Sequence, residues 1–160
     1  MIGQEDIEIE RKYLLRAIPP LALTFHADAI EQGYLPGTRI KERVRRRRGP
    51  HGVVCTRTFK AGKGVSRTEI EEEIEEPFFE GLWALTTVRL TKVRHTIPVG
   101  DRNWEVDVLD TIGVVLAEIE LGHVDEPVTF PDWLAPYVVR EVTHERGWTN
   151  AALAARGVPI

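Results

Sequence analysis

Like charges recur two residues apart along this chain. Glu8, Glu10 and Lys12 share one parity, as do Lys41, Arg43 and Arg45, then Lys92 and Arg94, Glu105 and Asp107, and finally Glu118 and Glu120. Residues of one parity point to one side of an extended strand. Each set is therefore a charged stripe. Carboxylates in a stripe are hard oxygen donors of the kind a divalent cation takes. Guanidinium and ammonium groups suit phosphate, Arg above all, because its fork donates two parallel hydrogen bonds. A sheet with one face in water explains any single stripe. It explains the whole set poorly. Clustering one sign of charge is unfavourable unless the opposite sign is supplied, and surfaces built for solubility mix their signs. A closed barrel with the charged side inward meets both conditions. Acidic strands would face basic ones across a wet lumen. A divalent cation would sit on the carboxylates, and a polyphosphate would lie between that cation and the Lys and Arg groups.

The elements that must carry these stripes follow from alternation and turn residues. Glu5 to Leu15 alternates charged and apolar residues and reads as a strand, ended by Pro19-Pro20. Leu21 to Ile30 is a short helix or an irregular crossing, and Glu31 to Leu35 a short strand. Thr38 to Arg48 and Val53 to Lys60 pair through a Gly49-Pro50-His51-Gly52 hairpin. Ala61-Gly62-Lys63-Gly64 turns into a strand over Val65 to Glu75. Phe78 to Leu85 has helical spacing behind Pro77. Val88 to Pro98, Asn103 to Leu109 and Val114 to Leu121 are three more strands. A proline-containing loop then leads to a helix over Asn150 to Arg156, capped by Thr149 or Asn150 and stopped by Gly157. The expected class is α+β: an eight-stranded antiparallel closed β-barrel, one domain over residues 1–160, with a few helices packed outside.

Composition narrows the chemistry. The 160 residues carry a net charge of −4, which argues against a dedicated nucleic-acid binder. The Arg45 to Arg48 run has no interleaved aromatics, and its role stays open. The single cysteine, Cys55, supports neither a disulfide framework nor a Cys-based zinc site. It reads as a small buried hydrophobe. The histidines, His26, His51, His95, His123 and His144, form no ligand pair. Ala61-Gly62-Lys63-Gly64 lacks the full spacing of a phosphate loop and joins two strands, so it is read as a turn. Trp83, Trp104, Trp133 and Trp148 are assigned to packing. Neither a signal peptide nor a membrane-length apolar run is present, so a complete, cytoplasmic chain is expected.

Beyond the stripes, the order of segments resembles the CYTH family, the triphosphate tunnel metalloenzymes. Their N-terminal Glu-x-Glu-x-Lys hallmark reads here Glu8-Ile9-Glu10-Arg11-Lys12. Gln32-Gly33-Tyr34-Leu35, Arg43-Val44-Arg45, Thr58-Phe59-Lys60, Ser66-Arg67-Thr68-Glu69, Lys92-Val93-Arg94, Glu105-Val106-Asp107-Val108, Glu118-Ile119-Glu120, Glu141-Val142-Thr143 and Asn150 follow in the family's order. The likeness spans almost the whole chain. One departure is Gly147 in Arg146-Gly147-Trp148-Thr149-Asn150, where a basic residue is usual.

The resemblance implies a metal-dependent triphosphatase that splits inorganic triphosphate to diphosphate and phosphate. It implies Mg²⁺ or Mn²⁺ on Glu8, Glu10, Asp107, Glu118 and Glu120. The phosphates would lie on Lys12, Arg43, Arg45, Lys60, Arg67 and Arg94, with Tyr34 and Lys92 activating the water. Other activities of the same fold stay open: a class IV-type adenylate cyclase, and a thiamine, nucleoside or RNA triphosphatase. A non-catalytic polyphosphate-binding module is the alternative outside enzymes. A small-molecule triphosphate is the expected partner, without nucleic acid or membrane. Monomer and homodimer both stay open.

Overall fold

Alternation builds nearly everything that the computed structural model describes, namely residues 4–37, 40–62 and 66–159. The strands are β1 (Gln4–Leu15), β2 (Ala27–Tyr34), β3 (Lys41–Gly49), β4 (Gly52–Gly62), β5 (Ser66–Ile74), β6 (Val88–Val99), β7 (Arg102–Leu109), β8 (Val114–Glu120) and β9 (Val138–Glu141). Helix α1 (Glu76–Trp83) follows β5, and α2 (Asn150–Arg156) closes the described chain. The strands form one nine-stranded sheet in the order β5-β4-β3-β2-β6-β7-β8-β1-β9, with β5 also paired to β1. All pairings are antiparallel. Gln4 to Ile9 of β1 run beside β5, while Glu10 to Leu15 run beside β8. Among the described residues no helix is long and apolar enough to cross a membrane.

Three features differ from the sequence expectation. The sheet has nine strands rather than eight, because the short β9 in the proline-containing tail adds to β1 opposite Tyr13 and Leu14. The Leu21 to Ile30 stretch divides into a 3-10 turn over Pro20–Thr24 and the start of β2 at Ala27. Of the turn expected at Ala61-Gly62-Lys63-Gly64, Ala61 and Gly62 belong to the end of β4, and the rest lies outside the described residues.

The face opposite the charged stripes is apolar and carries most of the core. Tyr13, Leu15, Ile97, Trp104, Val106, Ala117 and Ile119 cluster there with Ala22 and Leu134. On β3 and β4 the same face, through Val44 and Cys55, packs against Phe79 of α1. Pro77 sits at the first turn of α1, where its missing N–H is not needed. Arg46 clamps this helix. It reaches Glu31 of β2 at 3.1 Å, Glu76 at 3.1 Å and Glu80, and lies 4.7 Å over the Phe79 ring.

Not every helix packs on that apolar face. Leu153 of α2 and Trp148 before it cluster with Leu90, Leu109 and Leu116. Those three share the parity of Lys92, Asp107 and Glu118. The charged face therefore turns apolar at one end, and α2 sits there. Thr149 caps this helix by accepting the Ala152 N–H at 3.1 Å.

Candidate active site

The strand order sorts the stripes. β7, β8, β1 and β5 are consecutive through the β5–β1 pairing and carry the carboxylates; β4, β3, β2 and β6 are consecutive and carry most of the cations. Cross-strand partners stand about 5 Å apart. Glu10 is opposite Glu120 and Glu118 is opposite both Lys12 and Glu105. Arg94 is opposite Asp107, Gln32 opposite Arg45, Tyr34 opposite Arg43, and Lys41 opposite Lys60. Glu8 and Arg67 stand opposite each other between β1 and β5. Their side chains lie outside the described ones.

Asp107 is the hub of the buried part. It is fully buried, takes the Lys92 ammonium at 2.7 Å and accepts two bonds from Arg94, Nε at 2.7 Å and Nη2 at 2.8 Å. Burial pushes this carboxyl up, but Arg94 and Lys92 overcome it and hold the group far below the ordinary carboxylate range. Arg94 also reaches Glu105 at 3.1 Å. Burial raises the Glu105 pKa, with Arg94 opposing. Lys92 is drawn down to about 7, first by burial and then by Arg94 and Arg45, against the pull of Asp107.

Lys12 lies 3.4 Å from Glu118 and donates to the Trp148 carbonyl at 3.3 Å, which ties β1 to the C-terminal segment. Burial pulls the Lys12 pKa down, and Glu118, Glu10 and Asp107 together outweigh it. Arg43 donates to Thr58 at 3.2 Å and pairs with Glu71 at 3.5 Å. Lys60 lies 3.8 Å from Glu69. Arg45 donates from Nε and Nη2 to Gln32 Oε1, at 3.2 and 2.9 Å, and Gln32 donates to the Tyr34 hydroxyl at 2.9 Å. Burial, Arg43 and Arg94 bring Arg45 down to about 9.

Among the described residues, then, Lys12, Arg43, Arg45, Lys92, Arg94, Asp107 and Glu118 are brought into one buried, charged region. Tyr34 and Lys92 are not in contact. Lys92 stands opposite Ile30 on β2 and Tyr34 opposite Val88 on β6. That offset is four residues, roughly 13 Å along the ladder.

Several participants escaped the sequence reading. Gln32 and Thr58 are uncharged, and only register shows that they serve Arg45 and Arg43. The sequence reading puts Glu105 in the acidic stripe with Asp107 but gives it no role of its own. The Trp148 carbonyl has no side-chain signal at all.

A hard divalent cation fits this donor set. Glu10, Glu105, Glu118 and Glu120 offer only oxygens from one face of three adjacent strands. Glu118 Oε1 is buried without a hydrogen bond, with the Lys12 ammonium 3.4 Å away, so it keeps acceptor capacity that a bound cation would use. No three His, Cys, Asp or Glu side chains already converge on one point among the described residues. Asp107 is committed to Lys92 and Arg94.

The Arg45 to Arg48 run is divided by parity. Arg46 and Arg48 pair with Glu31 and Glu76 on the α1 side, while Arg47 pairs with Asp28.

No protein-family model matches the chain. The inorganic triphosphatase of Nitrosomonas europaea is 34% identical over 155 residues, covering 92% of this chain and 96% of that protein. The crystal structure of an inorganic triphosphatase aligns with a TM-score of 0.62 at 29% identity, over 95% of this chain and 97% of that one. A protein of Pyrococcus horikoshii aligns with a TM-score of 0.59 at 20% identity, over 81% of this chain and 82% of its own, a likeness of fold alone. Matched to a triphosphatase along nearly its full length and built on the same fold, this chain belongs to the triphosphate tunnel metalloenzyme, or CYTH, family.

Proposed function

We propose that this protein is a divalent-metal-dependent inorganic triphosphatase, hydrolysing triphosphate to diphosphate and phosphate. The observation that carries the reading is a buried imbalance. Five cations, Lys12, Arg43, Arg45, Lys92 and Arg94, are buried with only three carboxylates, Asp28, Asp107 and Glu118, among the described residues. Four of these cations have a carboxylate within 4.0 Å, but Asp107 serves both Lys92 and Arg94, and Arg45 has none among the described residues. Buried charge that is not fully compensated is unfavourable, and a polyanion would complete the site.

The sheet is proposed to close through β1, which pairs with β5 along its first half and with β8 along its second. The acidic and basic arcs then face each other across a tunnel within one domain over residues 1–160. The apolar end under α2 would direct the substrate to the charged end. Arg43, Arg45, Lys60, Arg67 and Arg94 would hold the phosphate chain, with Lys12 beside Glu118. Glu8, Glu10, Glu118 and Glu120, joined by Glu105, would hold Mg²⁺ or Mn²⁺, which when bound neutralises phosphate oxygens; Asp107, also expected there from the sequence, would instead hold Lys92 and Arg94 in place. Phosphoryl transfer needs positioning and charge neutralisation above all. A water would attack the terminal phosphorus in line. Tyr34 would orient that water, and Lys92, four residues away along the ladder and poised near neutrality, would supply or take up a proton on the phosphate chain. The substrate is a small molecule, and a cytoplasmic location belongs to the same reading.

Phosphate release from tripolyphosphate, ATP and thiamine triphosphate, with Mg²⁺ or Mn²⁺ and with EDTA, tests this. Metal-dependent cleavage of tripolyphosphate ahead of the other two is expected. Cyclic AMP from ATP would move the assignment to a cyclase. Tight tripolyphosphate binding without turnover would make the protein a binding module.

A further inference from the structure

Arg45 differs from the other buried cations of the charged face. Lys12, Arg43, Lys92 and Arg94 each have a carboxylate within 4.0 Å, whereas Arg45 has none among the described residues. Its side-chain partner is the neutral amide of Gln32, itself fully buried at the centre of β2. Arginine has only donors, so the amide oxygen must face Arg45 and the amide nitrogen must face Tyr34. The contacts follow that orientation: two bonds from Arg45 into Oε1, and one from Nε2 to the Tyr34 oxygen. Because the Tyr34 oxygen accepts from Gln32, its own proton must be donated elsewhere. Arg45 is held by Nε and Nη2, which leaves Nη1 outside the Gln32 contact.

We propose that Gln32 is a positioning residue that couples the anion-holding Arg45 to the hydroxyl of Tyr34; this rests on the triphosphatase reading. A neutral amide is the side chain that can do both jobs. A glutamate would pair with Arg45 and compete with phosphate for it. It would also present an acceptor to Tyr34 and remove the donor that fixes the hydroxyl. Leucine or methionine would fill the space and fix neither group. Phosphate drawn onto Arg45 thus meets a hydroxyl already aimed by the same amide, and substrate binding and water positioning share one rigid link.

The test is steady-state hydrolysis of tripolyphosphate with Mg²⁺ by wild type, Gln32→Glu and Gln32→Met. Each substitution is repeated in a Tyr34→Phe background, with melting temperatures recorded for all. Gln32→Glu is expected to raise KM tenfold or more, and Gln32→Met to lower kcat tenfold or more. With Tyr34→Phe the kcat effect of Gln32→Met should largely disappear, while the KM effect of Gln32→Glu persists through Arg45. KM and kcat within twofold of wild type in both single variants would overturn the proposal. So would kcat losses that multiply independently in the Tyr34→Phe background. If wild type shows no turnover, the triphosphatase reading itself fails, and calorimetric binding of tripolyphosphate decides for Gln32. Weakening by Gln32→Glu supports the Arg45 link, and unchanged affinity overturns it.

Discussion

At the scale of single residues, the site is governed by how few carboxylates serve its buried cations. Asp107 is the sharpest case, because one buried carboxylate answers both Lys92 and Arg94. Removing one partner of a buried ion pair leaves an uncompensated charge, which typically costs about 3–5 kcal/mol. Asp107→Asn should destabilise the fold on that order in urea unfolding, and it should abolish turnover. A loss below about 1 kcal/mol would show that the two cations are solvated rather than buried. Much at this scale was legible in the sequence, because parity alone groups Lys92 with Arg94 and Glu118 with Glu120. Gln32 was not legible in this way. An amide carries no charge signature, and its role exists only because β2 and β3 set it opposite Arg45.

Among the elements, β2 shows how a missing side chain positions a functional one. A Cβ on Gly33 would lie 2.7 Å from Thr86 and 3.0 Å from Trp83, so glycine lets the end of α1 settle against β2 beside Tyr34. The Thr87 N–H then bonds the Tyr34 carbonyl at 2.9 Å. Gly33→Ala should cost about 1–3 kcal/mol through overpacking. It should also lower turnover, as Tyr34 is pushed out of register. Unchanged unfolding in urea would mean that Thr86 and Trp83 yield without cost.

Elsewhere, the loop after β8 is pinned by Glu126. This carboxylate accepts the Gly122 N–H at 2.8 Å and pairs with Arg102 at 2.6 Å. The Gly122 bond first, and Arg102 with it, lower its pKa. A depressed folded-state value contributes stability above the ordinary glutamate pKa of about 4.3, and that contribution is lost as pH falls below it. The melting-temperature gap between wild type and Glu126→Gln should therefore be open at pH 7 and shrink toward pH 3. A gap that widens in acid would contradict this.

Elements with strong alternation, such as β7, or with clear cap and stop residues, such as α2, were legible almost to the residue. Two were not. β9 is four residues long and exists because β1 offers it an edge. The start of β2, Ala27-Asp28-Ala29, is too small and mixed to show a period.

For the whole molecule, acidic net charge and basic interior go together. The chain carries −4 overall, yet its buried charges are mainly positive. The folded state should therefore be stabilised by a polyanion even without metal. A ligand present at 100 times its Kd adds about 2.7 kcal/mol. Tripolyphosphate in EDTA should raise the melting temperature by several degrees, and more than sulfate at equal ionic strength. No difference between the two anions would mean that the buried cations do not form one polyphosphate site. The antiparallel sheet could be foreseen from the strand pattern. The seating of α2 on the apolar end of the charged face could not, because Leu90, Leu109 and Leu116 read as ordinary core residues until register brings them together.

The most direct single measurement is the initial rate of phosphate release from tripolyphosphate by wild type and Glu118→Gln, each with Mg²⁺ and each with EDTA. Wild type should turn over only with the metal. Glu118→Gln should lose at least a hundredfold in rate while still binding tripolyphosphate. Equal rates with and without EDTA, or a Glu118→Gln variant as fast as wild type, would contradict a metal-dependent triphosphatase built on this charged face.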